Sequence, residues 1–246
     1  MSAAVALGTR PRVLLTRSRD DCMAWAPRLR EAGFVPVIFP CIRCESLTDA
    51  GLGARLRAAL GEADWLVFSS RRGVESFARL HPPSLPRQVR VAAVGPATAA
   101  VARRALGRVD LRSEGGTCVS MAEELKARLK PVRGSRIVLA LAENAAEEPE
   151  TILKVAGARC TRLALYRTVS APPRHPRRPF SSLGADAVLL ASPSAVKGFL
   201  NQVDLDASPG IFTIGPTTSA ATRAAGLIVS GEAGRRGLEG LLEVLW

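Results

Sequence analysis

Arg12-Val-Leu-Leu-Thr16, a helix-like stretch and Gly33 return as Arg136-Ile-Val-Leu-Ala140, a second helix-like stretch and Gly157, both marks displaced by 124 residues. Asp64-Trp-Leu-Val-Phe-Ser-Ser-Arg-Arg-Gly-Val-Glu-Ser-Phe77 returns 122 residues later as Asp186-Ala-Val-Leu-Leu-Ala-Ser-Pro-Ser-Ala-Val-Lys-Gly-Phe199. Gly95-Pro-Ala-Thr98 returns 120 residues later as Gly215-Pro-Thr-Thr218. Three blocks, A, B and C, thus recur in order. The period is too long for one solenoid unit, so the chain reads as two similar domains. Two like domains are expected to leave a cleft, the usual place for a small ligand.

Each block reads as strand followed by helix. Val13–Thr16 is a short apolar strand; Asp20–Ala32 carries Cys22, Trp25, Ala26 and Leu29 at the i, i+3, i+4, i+7 spacing of a helix packed on a sheet. Gly33 then serves as its C-terminal stop. Further strands are expected at Val35–Phe39, Trp65–Ser69, Val89–Val94, Val109–Arg112, Ile137–Leu141, Arg159–Thr168, Ala187–Ala191, Ile211–Ile214 and Leu227–Val229, with a closing helix at Gly237–Leu245. Alternation of this kind argues for α/β architecture with parallel sheets. Each domain would hold about five strands, a flavodoxin-like unit.

The period does not say where the domains divide. A cut in mid-chain and an insertion of B-C-A′ between A and B′-C′ both fit. Punctuation favours insertion. Ala171-Pro-Pro-Arg-His-Pro-Arg-Arg-Pro179 is a proline-rich spacer directly after A′, and Pro40–Thr48 is a non-helical stretch directly after A. The expected division is 1–39 with 172–246 as one domain and 42–168 as the other.

Composition narrows the chemistry. The 246 residues, 47% of them hydrophobic, suffice for two modest cores. No apolar run approaches the ~20 residues of a membrane span, and Met1–Arg12 has no signal-like segment, so a cytoplasmic monomer is expected. Cys22, Cys41, Cys44, Cys118 and Cys160 are scattered. Cys41-Ile-Arg-Cys44 lacks the second pair or spaced histidines of a zinc site, and His81 and His175 lie far apart. These residues read as filler in a reduced compartment, and no metal or cofactor is expected. A Ser-His-Asp site is disfavoured on the same ground. The net charge of +12 is carried mostly by arginine, the lysines being Lys126, Lys130, Lys154 and Lys197. Coding bias alone could produce this. With 4% aromatics and dispersed basic residues, a nucleic-acid partner is less apt than a small polyanion whose carboxylates match arginine forks.

The candidate site residues gather at strand ends. Val94-Gly95-Pro96-Ala97-Thr98 and Ile214-Gly215-Pro216-Thr217-Thr218 each join a strand to a helix through a glycine that admits close approach and a proline suited to the first turn. Exposed N–H groups there, with Thr98, Thr217 and Thr218 beside them, suit an anion; ordinary capping is the plain alternative. Ser69-Ser70-Arg71-Arg72 and Ser192-Pro193-Ser194 occupy the same carboxyl edge, as does Thr16-Arg17. In an open parallel sheet that edge is where ligands dock. Arg17, Arg71 and Arg72 are therefore better placed for a carboxylate than Arg28, Arg55 or Arg128. Tyr166, the single tyrosine, stands beside the spacer, as a ligand contact or as an aromatic with its hydroxyl in water.

Together these pieces resemble the uroporphyrinogen-III synthase family. The resemblance spans essentially the whole chain: Thr16-Arg17, Phe39-Pro40, Phe68-Ser69-Ser70 with Val74 and Phe77, Val94–Thr98, Leu165-Tyr166-Arg167-Thr168, Ala191-Ser192 with Ala195-Val196, and Ile214–Thr218. It implies two flavodoxin-like domains, the second inserted into the first and joined by a two-stranded connection. It implies a lyase that closes hydroxymethylbilane, a linear polycarboxylate tetrapyrrole, with loss of water and inversion of the last pyrrole through a spiro intermediate. Such an enzyme works largely by proximity, without cofactor. Tyr166 would assist departure of the hydroxyl. Thr98 and Thr218 would bind carboxylates, with Arg17, Ser70, Arg71, Arg72, Gly95, Ser192, Ser194, Gly215 and Thr217 as further contacts. Ala142-Glu-Asn-Ala-Ala-Glu-Glu-Pro149 departs from the family by its acidity and is left out of the anion site. Two other readings remain: a non-catalytic two-domain protein binding a small polyanion, and a basic nucleic-acid-binding regulator.

Overall fold

A computed structural model describes residues 10–80, 85–128, 133–235 and 237–245. In chain order the elements are β1 Arg12–Leu15, α1 Arg19–Glu31, β2 Val35–Ile38, β3 Ile42–Ser46, α2 Leu52–Gly61, β4 Trp65–Phe68, α3 Arg71–Leu80, β5 Arg90–Val94, α4 Gly95–Leu106, β6 Leu111–Ser113 and α5 Cys118–Arg128. They continue as β7 Arg136–Ala142, α6 Glu148–Val155, β8 Arg159–Ser170, β9 Arg178–Pro179, β10 Ala187–Leu190, α7 Pro193–Gln202, β11 Val203–Asp204, β12 Gly210–Thr213, α8 Pro216–Ala224, β13 Gly231–Glu232 and α9 Leu238–Leu242. The chain forms two compact units, one within Met1–Arg43 and Val169–Trp246, the other Cys44–Thr168. It leaves the first along β3 and returns along β8, which are neighbours in one sheet.

The first unit is built on five strands in the order β13-β12-β10-β1-β2, parallel at every pairing. The second holds six, β3-β8-β7-β4-β5-β6, of which β8 through β6 run parallel. Read by block rather than by number, the two orders agree. The C strand, the B strand and the two A strands lie side by side in both, although B follows A in one unit and precedes A′ in the other. The units are circular permutants of one sheet. Two hydrogen bonds mark the equivalence: Asp186 Oδ2 accepts the Arg12 N–H at 2.7 Å, and Asp64 Oδ2 accepts the Arg136 N–H at 2.8 Å. Each aspartate opens a B strand and secures the start of the neighbouring A strand.

Buried apolar side chains cover both faces of each sheet. In the first unit Val13, Leu15, Ala187 and Leu189 face α1 and the C-terminal helix, while Leu14, Val188 and Leu190 face α7. The second repeats the plan, with Leu66, Phe68, Val138 and Ala140 on one face and Trp65, Val67, Ile137 and Leu139 on the other. This is why β1, β4, β7 and β10 read as unbroken apolar runs. Gly33 has φ +89° just past α1, the left-handed stop its position suggested.

Three expectations need correction. Leu227–Val229 forms no strand: Leu227 donates back to Thr222 O at 3.1 Å and Ile228 is 84% exposed. Pairing with β12 begins instead at Gly231, whose missing Cβ leaves room for the Phe212 ring. The strand expected at Val109–Arg112 lies at Leu111–Ser113, because Asp110 uses its carboxylate on the Val91 N–H at 2.7 Å and so starts the ladder later. The closing helix covers only Leu238–Leu242.

Candidate functional site

Each sheet reverses its winding once. In the first unit the reversal falls between β1 and β10, and in the second between β4 and β7. Loops at the carboxyl ends of such strands splay apart and leave a crevice. Thr16-Arg17 and Ala191-Ser192 stand at the first reversal; Ser69-Ser70 and the acidic turn after Ala142 stand at the second.

In the first unit the carboxyl ends of β10, β12 and β13 enclose a cavity of about 450 Å³. Ser192, Gly215, Thr217 and Thr218 line it, so four of the residues singled out in sequence come together here. Gly215 has φ +156°, and Pro216 opens α8 directly after it. Pro216 has no N–H and Thr218 donates its own to Gly215 O at 3.0 Å, so in the first turn of α8 it is the Thr217 N–H that stands outside the helix ladder, at the positive end of the dipole. Thr218 is buried, yet it is not a cap, since the N-cap position belongs to Gly215. Arg235, with Ala233 and Gly234, completes the wall and pairs with Glu243 at 2.6 Å. Sequence reasoning missed Arg235 because it misplaced the strand before it. Gly231, which opens that strand, and Gly234 just after it were the available signal.

Ser192 takes the plainer role. Its Oγ caps α7 by accepting the Ala195 N–H at 3.2 Å and lies 2.9 Å from Ser194 Oγ. Thr16 Oγ1 donates to Leu189 O at 2.6 Å, tying β1 to β10. Arg17 is drawn along α1: its guanidinium lies 3.3 Å from Asp21 and 4.5 Å from the centre of the Trp25 ring, and it is not part of the cavity wall.

In the second unit, Gly95 has φ +72°, and Thr98 is buried in the first turns of α4, whose N-cap is Val94. Neither Thr98 nor Thr218 therefore holds a helix cap. Arg71 opens α3, half-buried, and Arg72 pairs with Glu75 at 3.1 Å along the same helix. A further polar contact centres on Tyr166. Its ring is buried in the core beside Phe68, Val74 and Phe77, and its Oη lies 2.8 Å from Ser70 Oγ. That partner replaces the water expected of a half-exposed aromatic. Burial raises the phenol above its ordinary value, while the hydrogen bond with Ser70 pulls the other way. The hydroxyl thus keeps its proton at neutral pH and can donate it.

Cys41 Sγ turns to Phe39 O at 3.3 Å and Cys44 Sγ to Thr168 Oγ1 at 3.8 Å, so the Cys-x-x-Cys pair serves two different neighbours. Among the described residues no three His, Cys, Asp or Glu side chains are grouped to hold a metal ion. His81 lies outside the described residues, and no described helix is long and apolar enough to cross a membrane.

With this geometry in hand, comparison with known proteins gives one family. A family model described as uroporphyrinogen-III synthase HemD matches residues 23–243. Among solved structures, the uroporphyrinogen-III synthetase of Helicobacter pylori 26695 superposes with a TM-score of 0.60 at 17% identity, covering 95% of this chain and 97% of that one. A mutant uroporphyrinogen III synthase from the extremely thermophilic bacterium Thermus thermophilus gives 0.56 at 18% identity, covering 95% and 96%. At such identities the structures speak for the fold alone. A search of curated proteins returns no match.

Proposed function

The chain belongs to the uroporphyrinogen-III synthase family, matched over residues 23–243, and from that premise we propose how its own residues serve the reaction. The enzyme cyclises hydroxymethylbilane to uroporphyrinogen III in tetrapyrrole biosynthesis. We read it as a hydro-lyase: water leaves, and the ring closes with the terminal pyrrole inverted. In our reading it acts as a cytoplasmic monomer and uses no cofactor.

The two units take different tasks. In the first, the N–H groups around Gly215 and the hydroxyls of Thr217 and Thr218 donate to substrate carboxylates, with Ser192 at the rim and Ser194 beside it. The observation that supports this is the cavity of about 450 Å³ walled by a helix start, with no carboxylate in its lining; Arg235 adds positive charge at the wall although it also pairs with Glu243 at 2.6 Å. In the second, Gly95 and Thr98 offer the matching helix start, and Arg71 supplies positive charge nearby. Arg17 and Arg72 act at longer range, since each already faces a carboxylate at 3.3 and 3.1 Å. Tyr166 supplies the proton that turns the departing hydroxyl into water. The residue is well suited to the task, because burial keeps it protonated and Ser70 holds its hydroxyl at 2.8 Å. The remaining acceleration comes from holding a flexible chain with its ends close, a proximity effect.

Tyr166→Phe is the direct test. It removes one hydroxyl from a buried site and almost no apolar area, so the fold persists while turnover of hydroxymethylbilane falls. A well-folded variant that forms product at the wild-type rate would exclude the hydroxyl from the chemistry.

A further inference from the structure

Ser70 occupies a position that the reaction alone does not explain. It follows β4 at the reversal point of the second sheet and precedes α3, and its Oγ accepts the Gly73 N–H at 3.1 Å. The approach is close because residue 73 has no side chain; a Cβ there would stand 3.1 Å from Ala140 O and 3.6 Å from Ser70 Oγ. The helix start therefore fixes the serine against β7. Tyr166 is fixed independently, by a bulge after Leu141 that sets it opposite Ala142 in the β7–β8 pairing. The two hydroxyls meet at 2.8 Å.

A serine hydroxyl has one proton and two lone pairs. With one lone pair given to Gly73, two arrangements remain: Tyr166 donates to Ser70, or Ser70 donates to Tyr166. Only the second frees the phenolic proton for a ligand. We propose that Ser70 is a positioning residue that donates its proton to Tyr166 Oη and so directs the phenolic proton at the departing hydroxyl of the substrate. This rests on the reading of Tyr166 given above. In the step itself, the Tyr166 proton passes to the leaving oxygen, and the C–O bond pair departs with water. The phenolate left behind keeps the hydrogen bond from Ser70. The proton lost from the terminal pyrrole on ring closure then returns to Tyr166, so the cycle balances.

The surroundings support a donor at this place. The other groups that act on the phenol are the thiols of Cys44, on β3, and Cys118, at the start of α5, both of which disfavour its ionised form, and the Ser69 hydroxyl, a lesser hydrogen-bonding neighbour. Of the groups that act on the phenol, Ser70 is the foremost that favours its ionised form.

The chain has a single tyrosine, so phenolate absorbance reports Tyr166 alone. Ser70→Ala should move that titration to higher pH and lower kcat about ten- to a hundredfold, the range of one hydrogen bond to a developing charge, with KM changed far less. Ser70→Thr keeps the hydroxyl and should recover both the titration and most of kcat; the Tyr166→Phe background is what separates the effect from a loss of helix capping. In the Tyr166→Phe background, Ser70→Ala should cost no further turnover. An unmoved titration in Ser70→Ala, or an equal loss in both backgrounds, overturns the proposal while leaving the role of Tyr166 intact. Normal turnover by Tyr166→Phe instead removes the reading on which it rests.

Discussion

Gly198→Ala is the substitution whose cost the structure sets most sharply. Gly198 lies inside α7, where a Cβ would stand 1.8 Å from Cys41 O, 2.8 Å from Cys41 C and 3.1 Å from Ala171 N. The obstacle is backbone, and it is pinned, because Cys41 O accepts the Ala171 N–H at 2.7 Å. Here the strand leaving the first unit and the segment re-entering it are joined. To admit a methyl, α7 or this junction must shift by over an ångström. Overpacking of this kind costs about 1–3 kcal/mol, and losing the Cys41–Ala171 bond adds roughly 1–3. Replacing glycine by alanine in a helix returns about 1 kcal/mol. The expected net loss is about 3 kcal/mol, a fall in Tm of roughly 6–12 °C for a chain of this size. Gly53→Ala in α2 is the control of opposite sign: its Cβ would meet only Arg57 Nη1 at 3.5 Å and Leu80 O at 3.8 Å, ordinary contacts. It should stabilise by about 0.5–1 kcal/mol. Thermal melts followed by circular dichroism compare the pair. Equal shifts, or a Gly198→Ala protein as stable as the wild type, would refute the packing argument.

Further outcomes follow from the site and the core. Thr218→Val and Thr98→Val keep shape and remove only a hydroxyl, so each should weaken product binding about ten- to a hundredfold and leave Tm nearly unchanged; titration calorimetry alongside melts decides it. Ser192→Ala removes the cap on Ala195 N–H and should cost about 1 kcal/mol of stability, visible in a urea titration. Burial holds the Cys22 and Cys160 thiols at about 12 and about 11 and raises Cys41 as well, against an ordinary 9.0. These groups ionise only on unfolding, so the stability they confer is whole below about pH 9 and drains as pH rises toward their folded values. Tm measured from about pH 8 to 11 should fall, and less steeply in Cys22→Ala.

Much of the fold was legible because each unit buries both faces of a parallel sheet. Runs such as Trp65–Phe68 and Ala187–Leu190 cannot hide their character, and the glycines at 33, 95 and 215 take the conformations that their turns demanded. The edges were not legible. Leu227-Ile-Val229 has strand residues but lies where the chain returns from α8, and the pairing fell to Gly231-Glu232, chosen by the shape of Phe212 rather than by propensity. Strand ends brought Ser192, Gly215, Thr217 and Thr218 to one cavity, since position along a strand is written in the sequence. Which hydroxyl meets which was hidden. The sequence separation of 96 between Ser70 and Tyr166 closes only through the permuted order of β4, β7 and β8.

The most direct measurement is the isomer formed from hydroxymethylbilane. The purified chain is incubated with freshly prepared substrate, the products are oxidised to porphyrins, and the isomers are separated by chromatography. The type III isomer, with its inverted ring, should appear rapidly, at a rate proportional to the amount of protein. Type I alone, formed no faster than in the absence of the chain, would contradict this.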